Sequence, residues 1–207
     1  MSKTLSCYAF ETLINKLQTD SKKIPLSSYF EILGEDSSKL PASAPLFITW
    51  NKNQSLRGCI GTFQSLPISS GVSKFAINSA FQDPRFPPIK AKELDSLSVS
   101  VTLLDNFREI KNANDWTIGL NGLKISFELD GDYYSGTFLP SVAEDEEWDK
   151  ITTLYYLLKK ADYSIAKSNV AEFYKNGLDE GWLKLVKYDG LKQGVTYEEF
   201  NKIRNEI

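Results

Sequence analysis

Cys59 has the most distinctive chemistry in the sequence, because two glycines flank it in the segment LRGCIGT at residues 56–62. A cysteine thiolate is both a nucleophile and a redox-active group. The pattern of the segment predicts a β-strand, in which alternate side chains face opposite ways, so Arg57 and Cys59 are predicted to share one face. There the positive charge of Arg57 would favour the thiolate, and Gly61 would leave open space beside the sulfur. The segment is therefore the first candidate for the functional site.

The opposite face of this predicted strand carries Leu56, Gly58, Ile60 and Thr62, and Leu56 and Ile60 are expected to point into the core. A bulge within the strand would break this alternation. An alternative interpretation makes Cys59 a small buried apolar residue and the glycines packing devices, because free cysteine is among the most buried residue types. The sequence leaves both interpretations open.

A second candidate segment is the proline-rich loop DPRFPP at residues 83–88. Prolines stiffen this loop, so Arg85 is held at little further entropic cost and with Arg57 could clamp a carboxylate or a phosphate. Asp83 could then act as a base or orient the ligand. The alternative is that Asp83 and Arg85 pair with each other or with the backbone and so fix the loop.

The composition excludes several classes of site. The 207 residues include no histidine, which removes Ser-His-Asp and Cys-His catalysis, HExxH zinc sites and the two-histidine iron site. Cys7 and Cys59 are too few for a disulfide scaffold or a four-cysteine zinc site. No metal site is therefore predicted, and the cofactor is left unknown.

Charge and hydropathy also limit the partners and the compartment. A net charge of −3 gives no positive field that would attract nucleic acid nonspecifically. No apolar run approaches the ~18 residues that a membrane-spanning helix needs, and the N-terminal residues lack a signal-peptide pattern. We expect a soluble cytoplasmic protein, with the nucleus left open as a second location.

The predicted strands and helices that must position these residues indicate an α+β fold, because predicted hairpins and helices occur in successive groups. Hydrophobic periodicity and a capping box predict helices over about Ser2 to Thr19, from Val72 to near Asp83, over Ile151 to Leu158, and from Thr196 onward. Alternation predicts strands at residues 46–50, 56–63, 97–103, 133–138 and 182–188. Asn121-Gly122 predicts a two-residue hairpin turn between strands at residues 116–120 and 123–129.

The segment at residues 56–62 and the segment SAFQDPRFPP at residues 79–88 resemble the signature of the AMMECR domain family, of the AMME syndrome candidate gene type. The similarity covers nearly the whole chain. Further similar stretches lie at residues 7–8, 45–50, 97–104, 121–125, 138–143, 148–160 and 197–200. The chain is thereby identified as a member of that family.

The resemblance implies a single domain over residues 1–207 with two lobes of antiparallel or mixed sheets and flanking helices. The lobe boundary is expected near residues 105–115, and the cysteine segment near a cleft between the lobes. Microbial members are fused to or encoded with Memo-type and radical-SAM proteins, which implies a link to a shared small-molecule or modification pathway. The resemblance implies no defined activity.

The chain departs from the family pattern at three places. Gln82 and Ser141 stand where relatives commonly carry glutamate, which puts in doubt any mechanism that needs a carboxylate at position 82. Residues 161–181 form a longer stretch without the usual Gly-Gly.

Two functions remain open on the sequence. The first is a small-molecule or covalent-modification enzyme with Cys59 as nucleophile or redox thiol and Asp83 as orienting residue. Its candidate ligand-binding residues are Arg57, Gly58, Gly61, Thr62 and Arg85. The alternative is a non-catalytic ligand-binding or adaptor protein in which the same segments shape a recognition surface.

Overall fold

In the computed structural model, which describes residues 2–18 and 22–207, the chain has an α+β fold. The helices are α1 (Lys3–Leu17), α2 (Leu26–Leu33), α3 (Ile68–Phe81), α4 (Pro140–Asp145), α5 (Lys150–Lys160), α6 (Val170–Glu180) and α7 (Tyr197–Arg204). The strands are β1 (Ser43–Lys52), β2 (Ser55–Pro67), β3 (Leu97–Ile110), β4 (Asn121–Leu129), β5 (Asp132–Phe138) and β6 (Leu183–Thr196). The strand order is β2-β1-β3-β6-β4-β5. The predicted fold class is confirmed.

The chain divides into two compact units. Unit 1 contains the residues up to Leu104 together with Leu191–Ile207, and unit 2 is Asp105–Gly190. The strands β3 and β6 contribute residues to both units. Cys7, Cys59 and the loop at residues 83–88 all belong to unit 1.

The core of unit 1 follows from the alternation along β1. Leu46, Ile48 and Trp50 are fully buried, whereas Phe47 and Thr49 between them are only partly buried. The buried side chains contact α1 and α3, and burying each large apolar side chain stabilises the fold by roughly 1.5–3 kcal/mol. Trp50 also satisfies its ring N–H, because Nε1 donates to the carbonyl of Ala76 on α3 at 3.0 Å. This packing fixes one face of β1 against α3 and leaves the other face for different contacts.

Unit 2 has its own core, where β4 pairs antiparallel with both β5 and β6. Phe127 on β4 lies edge-to-face with Phe173 of α6 and with Trp182. At the surface of this unit, Asp189 accepts hydrogen bonds from Arg108 and Asn121. These polar contacts connect β3, β4 and β6.

The predicted hairpin turn at Asn121-Gly122 is wrong. Residues 116–120 form turns and loop rather than a strand, and Asn121 and Gly122 are the first residues of β4. A Cβ on Gly122 would overlap the Tyr188 ring, and Asn121 Nδ2 donates to Asp189 at 2.8 Å. Contacts with distant residues therefore explain why Asn and Gly occupy these two positions. Such contacts cannot be predicted from the local turn preferences of the sequence.

The other predicted elements are found close to their expected positions. The capping box of α7 is present, with the Thr196 hydroxyl accepting from Glu199 N and the Glu199 carboxylate accepting from Thr196 N. α1 covers most of the first predicted helix, although Thr19, its expected end, lies outside the described residues. The sequence reasoning missed α2, α4 and α6. Over the described ranges, no helix combines the length and apolarity needed to cross a bilayer.

Candidate functional site

A β-bulge at Arg57 changes the geometry of the cysteine segment. β1 and β2 pair with Trp50 opposite Gly58 but with Asn51 opposite Leu56, so Arg57 is an extra residue with no partner on β1. An extra residue breaks the alternation of side chains along a strand. The prediction that Leu56 points into the core is therefore wrong, and this residue is 42% exposed.

Arg57 is buried and bound to the end of the proline-rich loop and to the chain that follows it. Its Nε and Nη2 donate to Glu93 at 3.1 and 3.2 Å, and Nη1 donates to the carbonyl of Pro87 at 2.8 Å. In the part of the chain that the structure describes, no hydrogen bond joins the guanidinium to Cys59. The prediction that Arg57 lies beside the thiol is therefore wrong, because the bulge turns its side chain away. The contacts of Arg57 hold the proline-rich loop in place.

Glu93 is the carboxylate partner of Arg57. Burial raises the pKa of Glu93, but hydrogen bonds from Arg57, the Lys90 N–H and Lys52 outweigh burial and lower this pKa to about 2. Glu93 therefore stays ionised at neutral pH and keeps Arg57 paired.

Asp83 and Arg85 form an ion pair that binds the backbone of Cys59. Asp83 Oδ2 accepts from Cys59 N at 2.9 Å, and Arg85 Nη2 donates to Cys59 O at 3.4 Å. Within the pair, Arg85 Nε donates to Oδ1 at 2.9 Å and Nη2 donates to Oδ2 at 2.7 Å. β2 lies at the edge of the sheet, so the pair satisfies peptide groups that another strand would otherwise bind. The pairing that the sequence left as an alternative is present.

The two charges of this pair differ in exposure. The Asp83 side chain is 3% exposed, whereas that of Arg85 is 55% exposed. The hydrogen bond from Arg85 is the main reason that the pKa of Asp83 lies well below its ordinary value, and the Cys59 N–H adds to this effect. Asp83 raises the pKa of Arg85, and the charge of a Cys59 thiolate contributes to the same rise. Among the described residues, Arg85 Nη1 has no hydrogen-bond acceptor, so the guanidinium keeps donors for an anion.

Gly58 lets α3 approach β2 directly. A Cβ at this position would overlap the backbone carbonyl of Ser79 on α3. The Ser79 hydroxyl accepts from Ile60 N at 3.0 Å and lies 2.9 Å from the carbonyl of Ile48, to which it can donate. Ser79 thus connects α3 to both β1 and β2, and Gly58 is a packing residue.

The thiol of Cys59 lies on the other face of the β1–β2 pair. Cys59 is directly opposite Thr49 in the register, and its Sγ is 3.2 Å from Thr49 Oγ1, with either atom able to donate. Cys59 is half-buried, neither enclosed in the core nor fully exposed. The sulfur therefore has one hydroxyl partner.

Gly61 does not leave the open space predicted beside the thiol. The Phe47 ring and the Leu46 carbonyl occupy the volume that a Cβ on Gly61 would need, and Phe63 lies edge-to-face with Phe47 at 5.2 Å. Thr62 is opposite Leu46 in the register, and its hydroxyl accepts from Gln64 N at 3.0 Å. Gly61 thus makes room for an aromatic side chain that flanks the site.

Sequence reasoning missed Thr49, Ser79 and Glu93. A signal for Thr49 was available, because the hairpin between β1 and β2 and the burial of Ile48 and Trp50 place Thr49 on the face of Cys59. The sequence carries no comparable signal for Glu93, which reaches Arg57 through the chain fold. Across the described residues, no group of three His, Cys, Asp or Glu side chains could hold a metal ion.

Comparisons with known proteins relate this chain to a family. The AMMECR1 family model matches residues 6–175. An uncharacterised protein of Saccharomyces cerevisiae is 37% identical over 78% of this chain and 72% of its own length. An uncharacterised protein of Schizosaccharomyces pombe is 37% identical over 76% of this chain and 78% of its own. The crystal structure of an uncharacterised protein from Pyrococcus horikoshii is similar with a TM-score of 0.64 and 25% identity, over 93% of this chain and 90% of that one.

Proposed function

This chain belongs to the AMMECR1 family, and we propose that it is a covalent-modification enzyme in which Cys59 attacks small anionic molecules. One observation carries the proposal. The peptide N–H and C=O of Cys59 are both bound by the Asp83–Arg85 pair, while the guanidinium of that pair stays more than half exposed. A nucleophile and a cation with unused donors are thus held together on rigid elements.

The proposed reaction uses Cys59, the Thr49 hydroxyl and solvent water. The Cys59 thiolate forms a bond from Sγ to an electrophilic acyl carbon, and the leaving group departs with the electron pair of the bond that breaks. Water then attacks the same carbon, the bond from that carbon to Sγ breaks, and the thiolate is restored as the acid is released. The thiol proton passes to water or buffer, because the chain contains no histidine to take it. The Thr49 hydroxyl, 3.2 Å from Sγ, donates to the thiolate before the attack.

Arg85 is the anion-binding residue of the proposal. Its Nε and Nη2 are used by Asp83, which fixes the orientation of the guanidinium and leaves Nη1 for a carboxylate or phosphate of the substrate. Arg57 has a different role here from the predicted clamp, because Glu93 and the Pro87 carbonyl bind it. Its part in the proposal is to hold the loop that carries Arg85.

The test uses a matched pair of reagents, iodoacetate and iodoacetamide, which alkylate the same thiol and differ in charge. A Cys7→Ala background leaves Cys59 as the only thiol. Relative to a small free thiol, Cys59 should prefer iodoacetate, and Arg85→Gln should lower this preference by up to about fivefold, the value of one exposed charge pair. Arg85→Lys should keep most of the preference, and Lys74→Gln, which removes an equal charge from the exposed side of α3, should keep all of it.

The outcomes separate the two functions left open by the sequence. An iodoacetate preference that is unchanged in folded Arg85→Gln protein would remove Arg85 from the proposal. Complete resistance of Cys59 to both reagents in the folded protein would overturn the enzyme function and favour the non-catalytic ligand-binding alternative. Circular dichroism and thermal unfolding of each variant show whether the chain is folded when it is alkylated.

A further inference from the structure

Three small polar side chains form a row across neighbouring strands of unit 1. Thr49 on β1 is directly opposite Cys59 on β2 and directly opposite Ser100 on β3. Residues opposite each other in antiparallel strands have their side chains on the same face, with Cβ atoms roughly 4.5–5.5 Å apart. The neighbours of Ser100 along β3, Val99 and Val101, point into the core cluster of unit 1. The row therefore lies on the face away from that core.

Ser100 is the unexplained member of the row. Ser100 is 7% exposed, and its Oγ is buried without a hydrogen-bond partner among the described residues. A buried hydroxyl that bonds to nothing destabilises the folded state, so an apolar residue would be expected unless the hydroxyl has a further role. Gly194 on β6 lies against the same residue, since a Cβ there would be 3.3 Å from Ser100 Cβ. The fold therefore accommodates the Ser100 side chain but leaves its oxygen unpaired.

We propose that Ser100 is a positioning residue that stabilises the Cys59 thiolate through Thr49, an inference that rests on the proposed function of Cys59. A hydroxyl has one hydrogen to donate and two lone pairs to accept with. When Cys59 is ionised, the Thr49 hydrogen points to Sγ, which leaves the Thr49 lone pairs free. The proposal requires that rotation about the Ser100 Cα–Cβ bond brings its hydroxyl within reach of Thr49 Oγ1, which the separation of directly opposed side chains allows.

The hydroxyls of this row would stabilise the thiolate, which is one of the roles that histidine has in Cys-His sites. A donor that is itself hydrogen-bonded donates more strongly, so Ser100 would strengthen the bond from Thr49 to the thiolate. The two hydroxyls, of Thr49 and Ser100, each keep their own hydrogen. Only the thiol proton of Cys59 is lost to solvent.

The charged groups around Cys59 are fixed by other partners. On the loop after α3, Asp83 and Arg85 pair with each other. On β1 and at the loop end, Lys52 pairs with Glu93, which also holds Arg57. Substitutions at Thr49 and Ser100 leave these pairs intact, so a change in thiolate formation would report the hydroxyl row.

The experiment measures the pH midpoint of thiolate formation by ultraviolet absorbance in the Cys7→Ala background, with Cys59→Ala as the blank. Thr49→Val should raise the midpoint by roughly one pH unit, the value of one hydrogen bond to a charged group. Ser100→Ala should raise it by roughly a few tenths of a unit. Thr49→Ser should restore the parent midpoint, and Ser98→Ala, on the same face of β3, should leave it unchanged.

A role of Ser100 in packing alone gives a different result. In that case Ser100→Ala changes the melting temperature and leaves the midpoint at the parent value, which overturns the proposal. A Ser100→Ala shift that persists at full size in the Thr49→Val background also overturns it, because the effect must pass through Thr49. This readout uses no alkylating reagent, so a failure of the iodoacetate test would not be mistaken for a failure of the hydroxyl row.

Discussion

Cys7 and Cys59 lie in the same unit but in opposite surroundings. Cys7 is on α1 and is completely buried, and burial is the main reason that its pKa rises to about 12, with Lys3 opposing the rise and Glu35 adding to it. Cys59 is half-buried on an edge strand, with a hydroxyl at 3.2 Å from its sulfur and an ion pair on its backbone. The surroundings of the two thiols, rather than their residue type, therefore set the expected difference in their reactivity.

The largest expected difference is in protection from alkylation. In the native protein Cys59 should react with iodoacetamide while Cys7 stays protected by a factor of roughly 10³ or more, because Cys7 becomes accessible only when the chain opens and native states are typically favoured to that extent. Mass spectrometry of peptides after timed labelling measures both rates in one sample. Equal rates at the two cysteines in folded protein would contradict the comparison.

A second prediction concerns the close approach that positions Cys59. Gly58→Ala should lower the free energy of unfolding by roughly 3 kcal/mol, because the new Cβ overlaps the Ser79 carbonyl and backbone atoms of a packed helix cannot move aside cheaply. Urea unfolding at neutral pH measures the loss. Ser55→Ala, at the exposed start of β2, is the matched control and should change stability by less than about 0.5 kcal/mol. A Gly58→Ala variant as stable as the parent would show that α3 does not need this contact.

The glycines of this segment also show what sequence could and could not predict. The strict alternation of a strand predicts that Cys59 and Thr62 face opposite ways. Both residues lie in the regular register with β1 after the bulge, so the alternation holds for them. The glycines in residues 56–62 are compatible with a bulge but do not fix its position. The bulge at Arg57 turns this side chain from the face of the thiol to the loop. Gly61 could be identified as unusual, but only the position of Phe47 shows that the space is filled.

The proline-rich loop was predicted more completely than the cysteine strand. The pairing of Asp83 with Arg85, one of the two alternatives for this loop, joins residues two apart in sequence. Local contacts of this kind can be inferred from spacing. The contact with Cys59, 24 residues away in sequence, depends on how α3 packs, and spacing carries no information about it. The same reason explains why Glu93 and Ser100 entered the site only with the structure.

The smallest predicted effect is the pH dependence that Asp83 adds to the Cys59 region. The pKa of Asp83 is lowered in the folded state, first by Arg85 and then by the Cys59 N–H. The ionised Asp83 therefore stabilises the fold fully above the unfolded pKa, which is 3.8 for an unperturbed group. This stabilisation is lost as the pH falls below that value. Asp83→Asn should therefore cost about 1–2 kcal/mol at pH 7, a value reduced by the exposure of Arg85, and should flatten the loss of stability below about pH 4. Glu93, with a pKa of about 2, keeps part of the acid slope in the variant. Urea unfolding between neutral pH and pH 3 measures both slopes, with the exposed Asp95→Asn as control. If Asp83→Asn and the parent lose stability in parallel on acidification, the ion pair is not what holds the backbone of Cys59, and the contrast with Cys7 rests on burial alone.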